Sequence, residues 1–381
     1  MASFVLYTHT LWSEAPRIRH QVARLIAGAG HDVLFIERAA HPWQRPLLEP
    51  VPVEHGIRVA RPRKLLHHQL RVVPPLDWLN RAVVRRDLAA ILARSHPGGD
   101  ATLVNFAHDA AFLPSLLPGR PMITIIHDDF EAQTRLPWFG HVTRNLRATC
   151  LASDRVLAVS RPLVDRLSTW CRAELFHPWT ALPYVPPRSG TEGRDTLLFW
   201  GHVDTGLDTE RIRSISAHLA RRHPDLRVLI VGPTQVPSRR ARTTDALRGL
   251  ANVEVHDATP LERLPLERTL AALIPYRRKG DVDATELPNK TLPLLSRGLP
   301  ILKTGLPAMV RAPFILAVDD DDALDSAITA CRSNFDTWQP AIRDFVESHR
   351  TADRLEALGI PTLASVIQPA TASTSALHTR S

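Results

Sequence analysis

Short apolar runs alternate with amphipathic stretches along the first half of the chain. The apolar runs predict strands at 4–8, 32–36, 57–60, 102–106, 122–126 and 156–160. The amphipathic stretches predict helices at 17–29, 77–94, 139–152 and 162–171. Continuous apolar strands separated by helices are typical of a parallel sheet that is covered on both faces.

A second alternating series follows the Pro- and Gly-rich segment 183–195, which lacks periodicity and predicts an interdomain linker. Its strands are predicted at 196–200, 227–231, 253–255, 271–274, 301–303 and 315–318, and its helices at 208–222, 289–297, 322–333 and 338–358.

The predicted fold class is therefore α/β, with two doubly wound, Rossmann-like domains. The boundaries are 1–187 for the first domain, 188–335 for the second, 336–359 for a C-terminal helix that crosses back, and 360–381 for a flexible tail. Two such domains would place a cleft between the carboxyl ends of two sheets, where ligands of these sheets bind.

Composition and charge narrow the class of protein. Of the 381 residues, 44% are hydrophobic and 23% charged, which is enough for two or three packed domains. Lys and Arg number 47 against 39 Asp and Glu, so the net charge of +8 favours acidic partners.

The location is predicted from cysteines and apolar runs. The three cysteines, Cys150, Cys171 and Cys331, form no CxxC pattern, which argues against a disulfide framework or zinc site and fits a reducing cytosol. No apolar run approaches the roughly 20 residues of a membrane span, and we expect no signal peptide. A cytoplasmic protein is expected.

The most informative stretch is 272–302. A predicted strand ends at Pro275, a polar loop follows, and Pro288-Asn289-Lys290 opens a helix, so Lys290 is predicted in a first helical turn that points into the cleft. A cation at a helix N-terminus is destabilised by the helix dipole unless a nearby anion compensates for it. A diphosphate would supply that anion, because it would meet both Lys290 and free backbone N–H groups. The alternative is a solvated lysine at a helix start.

Four segments in order resemble the donor domain of GT-B glycosyltransferases of the family 4 type. They are LLFWGHVDTGLD (197–208), HPDLRVLIVGP (223–233), LANVEVHD (250–257) and IPYRRKGDVDATELPNKTLPLLSRGLPIL (274–302). The likeness covers roughly residues 196–330; the N-terminal half agrees more loosely, through 12–37 and the strand end IIHDD at 125–129.

The resemblance implies a GT-B fold and a reaction. A sugar would move from a nucleoside-diphosphate sugar, above all a UDP-sugar, to the hydroxyl of a glycan or lipid-linked acceptor, in bacterial surface polysaccharide or glycoconjugate biosynthesis. It also implies that cations and helix ends, and not a bound metal or cofactor, stabilise the leaving diphosphate.

The resemblance further implies a donor site. Its candidate residues are Gly201, His202, Val255, His256, Tyr276, Arg278, Thr285, Glu286, Asn289 and Lys290. Gly201 and His202 would form a tight turn at the diphosphate, which Lys290 would neutralise. Thr285 and Glu286 would lie near the sugar, and Val255 and His256 beside the base.

The sequence departs from the family pattern in two respects. Pro293 stands where many relatives carry an acidic residue that holds the ribose, and His202 and Leu207 replace a frequent Arg and Lys pair. Arg278 or its neighbours Arg277 and Lys279 are candidates for the missing charge. Two rival hypotheses therefore stay open: a nucleotide-sugar epimerase of the same fold, and a degenerate GT-B subunit that acts as a scaffold.

Catalytic candidates follow the strand predicted at 122–126. His127, Asp128 and Asp129 stand at its carboxyl end, and His127 matches a strand-end histidine of the family. In an inverting mechanism a carboxylate or histidine within hydrogen-bond reach serves as base. In a retaining mechanism the site mainly positions substrates and stabilises the leaving phosphate. Either aspartate has the alternative role of capping the next turn.

Acceptor-side candidates lie in two loops of the first half. Trp12, Glu14 and Arg17 belong to the first βα loop, and Arg17 or Arg19 is a candidate to hold an acidic acceptor. Asn105 and His108 follow another strand and are expected at the same cleft. The alternatives are surface charge at a helix start and a simple loop.

Two charged runs complete the predictions. Segment 58–94 has nine Lys or Arg against Asp77 and Asp87, which suits docking on the inner face of an anionic membrane or, alternatively, a solvated amphipathic helix. It shows no nucleic-acid-binding module. The acidic run 319–322 is predicted to cap a helix and not to bind metal.

Overall fold

The computed structural model describes residues 2–360 except 15, 67–72, 96–100, 135–138, 204–205, 233–244, 248, 279–281 and 351. It has two largely parallel sheets, one of eight strands and one of six, each flanked by helices. The α/β prediction is confirmed. The predicted tail beyond residue 360 lies outside the described residues.

The first sheet has the strand order β3-β4-β2-β1-β5-β6-β7-β8. The strands are β1 Ser3–Tyr7, β2 Asp32–Ile36, β3 Leu47–Glu54, β4 Ile57–Arg61, β5 Thr102–Asn105, β6 Met122–Ile126, β7 Arg155–Ala158 and β8 Ala173–Leu175. The helices are α1 Ile18–Gly28, α2 Pro74–Ser95, α3 Phe139–Leu151 and α4 Arg161–Leu167. Apolar clusters pack on both faces, which explains the near-continuous apolar strands.

The second sheet has the order β11-β10-β9-β12-β13-β14. Its strands are β9 Thr196–Trp200, β10 Arg227–Val231, β11 Val253–His256, β12 Thr269–Pro275, β13 Ile301–Thr304 and β14 Ile315–Ala317. Its helices are α5 Thr209–Arg222, α6 Thr291–Leu295 and α7 Asp321–Asn334. All five strand pairings are parallel, so the carboxyl ends of these strands meet at one edge.

Two strands of the first sheet were not predicted. β3 pairs antiparallel with β4 at the sheet edge, carries two prolines and is mostly exposed, so it lacks an apolar run. β8 has only three residues, all half-buried. Neither strand has the burial that makes the other strands recognisable from sequence.

Two helices stand where one was predicted over 338–358. They are α8 Gln339–Glu347 and α9 Ala352–Ala357. Ile342 and Val346 of α8 pack in the core of the second sheet, whereas Leu358 and Ile360 after α9 pack in the core of the first. Arg354 anchors α9 by donating from Nε to the carbonyl oxygen of His177, at 2.9 Å. The segment 339–360 thus bridges the two sheets.

The predicted linker 183–195 is tied to the second sheet. Arg194 is buried, and its guanidinium donates to the carbonyl oxygens of Leu266 and Thr269 at 3.1 and 2.7 Å. Its Cζ also lies 4.2 Å from the centre of the Phe335 ring. These contacts anchor the end of the segment to the second sheet, which its lack of periodicity did not reveal.

The acidic run caps a helix, as predicted. Asp320 precedes α7, and its side chain accepts a hydrogen bond from the backbone N–H of Ala323 at 2.7 Å. Asp208 does the same for α5, at 3.0 Å from the backbone nitrogen of Arg211. Within the described ranges, no helix is both long and apolar enough to cross a bilayer.

Candidate functional site

Two glycines allow a close approach of loops at the carboxyl edge of the second sheet. Gly201 follows β9 with φ +156°, and its N–H donates to the Val231 carbonyl oxygen at 2.9 Å. Gly232 follows β10, and a Cβ atom there would lie 1.6 Å from the Gly201 carbonyl oxygen. Only glycine fits at position 232, because that oxygen is backbone and cannot move aside.

Lys290 lies directly above this turn. Its Nζ is 4.1 Å from the centre of the Phe199 ring and 4.6 Å from that of Tyr276, and the residue is only 9% exposed. Among the described residues no carboxylate forms an ion pair with it. The aromatic faces hold the ammonium in place without neutralising its charge.

The helix after Lys290 is shorter than predicted. The prediction was a helix at 289–297 with Lys290 in its first turn, whereas α6 begins at Thr291 and Lys290 is its N-cap residue. Thr291 is fully buried, and its Oγ1 has no hydrogen-bond partner within the described part of the chain. A buried hydroxyl without a partner is costly unless a ligand or water meets it.

A cavity of about 390 Å³ opens at the same edge, between the loops after β12 and β13. Its lining includes Arg278, Lys303, Thr304 and Asp319. Burial lowers the pKa of Lys303, whose Nζ donates to the Leu306 carbonyl oxygen at 2.7 Å. Arg278 is three-quarters exposed and lies 3.9 Å from an Asp283 carboxylate oxygen, so its charge faces open space.

The remaining donor candidates lie at the ends of neighbouring strands. His202 directly follows Gly201 and is half-buried. Val255 and His256 end β11; Val255 packs on the apolar core, whereas the exposed His256 contacts Glu254 at 3.2 Å. Thr285 is half-buried and Asn289 exposed, both in the loop before Lys290. The sheet thus brings residues from four separate segments to one edge.

Glu286 has a different setting from the one implied by the resemblance. It is buried, and its Oε2 accepts from the backbone N–H of Arg161 at 2.8 Å and contacts His177 Nε2 at 2.9 Å. Both partners belong to the half of the chain that forms the first sheet. Glu286 therefore joins the two halves, and its carboxylate is occupied in this conformation.

His127 and Asp128 form a cluster with Arg19 at the carboxyl end of β6. His127 Nε2 is 3.1 Å from Asp128 Oδ2 and also contacts the guanidinium of Arg19. Burial lowers the pKa of His127, and the charge of Arg19 lowers it further. Burial works to raise the pKa of Asp128, but His127 and Arg19 outweigh it and lower this pKa. The cluster thus favours a neutral imidazole beside an ionised carboxylate.

Asp129 takes the capping role that was left open for it. Its Oδ1 accepts from the backbone N–H of Ala132 at 3.0 Å and from Arg166 Nη1 at 2.9 Å, while Oδ2 lies 2.9 Å from Arg166 Nη2. The residue is buried. With both oxygens held by Arg166, Asp129 is a poor match for a base, and Asp128, with 45% of its side chain exposed, is the better one.

The first βα loop contacts its own domain. The Trp12 ring lies 5.0 Å from Phe35 and 5.1 Å from His20, so it packs inward. Glu14 contacts Arg17 at 3.6 Å and Arg38 at 3.5 Å, so charge near Arg17 is already balanced. Of the two arginines, Arg19 contacts His127 directly, and the charge of Arg17 also acts on Asp128 and lowers its pKa.

Asn105 and His108 are both buried. Asn105 Nδ2 donates to the Ala107 carbonyl oxygen at 2.9 Å and to Thr124 Oγ1 at 3.1 Å, and its Oδ1 accepts from the Ala107 N–H. These bonds shape the loop after β5, which supports the loop role for Asn105. The centre of the His108 ring lies 4.9 Å from that of the Phe130 ring. Another neighbour of Phe130 is His127, whose ring centre is 5.3 Å away.

Sequence reasoning missed His177 and Arg161 as partners of Glu286, and assigned Arg19 only to the acceptor. Nothing in the local pattern around His177 distinguishes it. Arg19 occupies a helix position adjacent to the apolar Ile18 and is itself buried, which an arginine tolerates only with partners.

Solved structures share this architecture over nearly the whole chain. Sucrose-phosphate synthase from Thermosynechococcus elongatus has a TM-score of 0.69 at 14% identity, covering 94% of this chain and 97% of that one. WaaG, a glycosyltransferase involved in lipopolysaccharide biosynthesis, has 0.61 at 15%, covering 97% and 100%. Anabaena HepE, solved in complex with UDP, has 0.63 at 10%, covering 94% and 98%.

These similarities show that the chain has the GT-B fold, as the sequence resemblance implied. No family model and no curated protein matches the sequence.

Proposed function

We propose that this protein is a glycosyltransferase that moves a sugar from a nucleoside-diphosphate sugar to an acceptor hydroxyl. The observation that carries the proposal is the buried Lys290 ammonium, which lies over two aromatic rings and against Gly201 without a described carboxylate partner. A desolvated cation at a glycine turn suits an anion with several oxygens, because charge-assisted hydrogen bonds are strongest where water is excluded.

Lys290 would stabilise the diphosphate as it leaves. The negative charge on the leaving group grows during glycosyl transfer, so a fixed cation stabilises the transition state more than the ground state. We propose that the Thr291 hydroxyl, which has no partner among the described residues, donates to a phosphate oxygen of the bound donor. With this charge supplied by the protein, we propose that the leaving diphosphate needs no bound metal.

The base in the first domain is proposed to be Asp128. It lies half-exposed beside His127, whereas Asp129 is held by Arg166. Burial, and then the charge of Arg19, lower the pKa of His127, and contacts with His127 and Arg19 lower the pKa of Asp128, which favours the ionised carboxylate that a base requires. For the nucleotide we propose uridine diphosphate, which a structural neighbour, HepE, holds.

A role in surface polysaccharide or glycoconjugate biosynthesis is proposed from the resemblance and from WaaG, whose name includes lipopolysaccharide biosynthesis. Docking of segment 58–94 on an anionic membrane is part of this proposal. Trp78 is 71% exposed, and Leu65 and Leu79 are also exposed. Against it, Arg61, Arg63 and Arg81 of this segment are in ion pairs with Glu37, Asp87 and Asp77, respectively.

Calorimetric titration with UDP, GDP, TDP and ADP tests the donor site. We expect selective micromolar binding of UDP, and about 10- to 100-fold weaker binding to Lys290→Met, as for loss of one charge-assisted contact. The control is Arg343→Met, which removes an exposed cation on α8. Absence of binding to all four nucleotides, or equal affinity in Lys290→Met, would contradict the proposed donor site.

A product assay then tests the reaction. With the selected UDP-sugars, transfer requires an acceptor and releases UDP. A changed sugar nucleotide that forms without acceptor would instead indicate an epimerase. Nucleotide binding with neither product, across UDP-sugars and lipid-linked and soluble glycan acceptors, would contradict the transferase.

Flotation with vesicles tests the membrane surface. Vesicles with 30% anionic lipid should carry the protein at low salt and release it at high salt. Trp78→Ala should float less. Failure of the wild-type protein to float at low salt would exclude docking by this segment.

A further inference from the structure

A cluster of two histidines and an aspartate lies on the helices that cover the second sheet. His218 is in the third turn of α5, His223 is the C-cap residue of the same helix, and Asp325 is in the second turn of α7. One ligand atom from each lies within 4.8 Å of the other two. Asp325 is 107 positions from His218 and 102 from His223 in sequence, so only the packing of α5 against α7 brings it to the histidines.

We propose that His218, His223 and Asp325 bind a divalent transition-metal ion, zinc above all, that clamps α5 to α7. Imidazole and carboxylate are preferred zinc ligands, and three protein ligands with a fourth position left to water are a recurrent zinc arrangement. The nitrogen and oxygen donors of this set favour zinc over calcium or magnesium, which take oxygen ligands.

The geometry of the three donor atoms supports the site. His218 Nε2 and His223 Nε2 lie 2.6 and 2.7 Å from the same oxygen, Oδ1 of Asp325. Ligands about 2.0–2.1 Å from a tetrahedral zinc are separated from each other by roughly 3.3 Å. Each contact thus needs to widen by well under 1 Å for an ion to enter, which side-chain rotations supply.

Asp321 supplies the outer support that such sites use. Its Oδ2 lies 3.1 Å from His218 Nδ1, the ring nitrogen that faces away from Asp325. A carboxylate in this position holds the proton on Nδ1 and leaves Nε2 free to bind a metal. Asp321 is itself held by Arg211, whose Nη1 is 3.1 Å from its Oδ1. The carboxylate and the histidine of a carboxylate–histidine–metal series are therefore already in contact.

The surroundings leave a path for the ion. His218 is buried, but His223 and Asp325 are partly exposed. Two arginines lie at the rim: Arg221 is 3.9 Å from Asp321 and Arg222 is 4.0 Å from Asp325. Both side chains are more than 60% exposed and lie at the limit of ion-pair distance, so they can swing into solvent when the carboxylates take a metal.

The site is separate from the proposed donor site. α5 begins at the carboxyl edge of the sheet, where Gly201 lies, and runs back to His223, four residues before β10 begins at the opposite edge. A metal here would brace the donor domain and would not touch the leaving diphosphate. The closing experiment therefore does not depend on the proposed transferase activity.

Zinc binding by the full chain is the test. We expect one zinc per chain by elemental analysis after dialysis against micromolar zinc, and a rise in Tm of about 5–10 °C at a free zinc concentration 100-fold above Kd. His218→Ala, His223→Ala and Asp325→Asn should each weaken zinc binding at least 10-fold, and Asp321→Asn by about 10-fold through its effect on His218.

Two variants serve as matched controls. Asp322→Asn removes a neighbouring carboxylate of the same helix, and His55→Ala removes an exposed histidine in a turn of the first sheet. Both should bind zinc as the wild-type protein does. Circular dichroism without zinc separates misfolding from ligand loss, and Asp321→Asn, which keeps all three ligands, still tests the site if a ligand variant misfolds.

Three outcomes would overturn the proposal: no zinc binding at 50 µM, binding that is equal in all variants, or binding that lowers Tm. Each of these would leave a hydrogen-bonded cluster that joins two helices. Equal binding in all variants would mark adventitious capture by surface histidines.

Discussion

The ammonium group of Lys290 occupies the space beside Gly201 that any other residue would need. A Cβ atom at Gly201 would lie 2.6 Å from Lys290 Nζ and 2.8 Å from its Cε. The two residues are 89 positions apart, and they meet because β9 and β12 are neighbours in the second sheet. This contact links the glycine turn to the only cation that rests on the rings of Phe199 and Tyr276 among the described residues.

Gly201→Ala should weaken nucleotide binding. The new methyl group pushes Lys290 from its place over the rings, and the positive φ adds backbone strain. We expect about 10-fold or greater loss of UDP affinity by calorimetry. Gly190→Ala is the control, because Gly190 has φ +81° but no atom within 4 Å of the added Cβ. Equal affinity in the two variants would separate Gly201 from the donor site.

Asp128→Asn and Asp129→Asn should affect different properties, the transfer rate and the stability, respectively. Asp129→Asn loses the ion pair with Arg166 and should lower Tm by several degrees. Asp128→Asn should fold normally and bind UDP, but lose at least about 100-fold in transfer rate, as expected for a missing base. Full transfer activity in Asp128→Asn would remove it from the reaction.

Glu286→Ala should loosen the connection between the two halves. It removes the acceptor of the Arg161 N–H and of His177. We expect a lower Tm and faster proteolysis near residues 161 and 177, since a buried N–H left unpaired costs about 1–3 kcal/mol. His177→Ala should reproduce part of the effect. An unchanged Tm in both variants would show that these contacts contribute no stability.

Asp87 should make the free energy of unfolding fall as the pH becomes acid. Burial works to raise its pKa, but hydrogen bonds and charge from Arg63 outweigh this and lower it. Because the folded pKa lies below the unfolded one, this stabilisation is complete above the unfolded pKa, near 4, and is lost as pH falls through the folded pKa. Denaturant unfolding of Asp87→Asn should show a loss of about 2–3 kcal/mol at pH 7.

Unfolding measured at a series of acid pH values tests whether the charge of Asp87 is responsible. The difference in unfolding free energy between Asp87→Asn and wild type should shrink as pH falls below the unfolded pKa, near 4. Glu254→Gln, which alters an exposed ion pair with Arg227, should cost less than about 1 kcal/mol at any pH. A pH-independent difference for Asp87→Asn would show that packing, and not charge, stabilises this contact.

Much of the fold was readable from sequence. Buried parallel strands are continuous apolar runs, and helices such as α5 combine an aspartate cap with apolar spacing, so both sheets were predicted with nearly all of their strands. β3 and β8 were missed because edge strands with exposed residues carry no such run. The break between α8 and α9 was missed because both helices have helical spacing.

The candidate site, like the fold, was predictable from sequence only in part. The sequence by itself determined that Gly201, Lys290, His127 and Asp128 fall at strand ends or helix starts, because these positions follow from local periodicity. The tertiary structure alone decided their partners: the rings beneath Lys290, the contact of Glu286 with His177, and the ion pair of Asp129 with Arg166. It also assembled His218, His223 and Asp325. Apart from His218 and His223, which belong to the same helix, these contacts join residues 14 to more than 100 positions apart, and no local propensity encodes them.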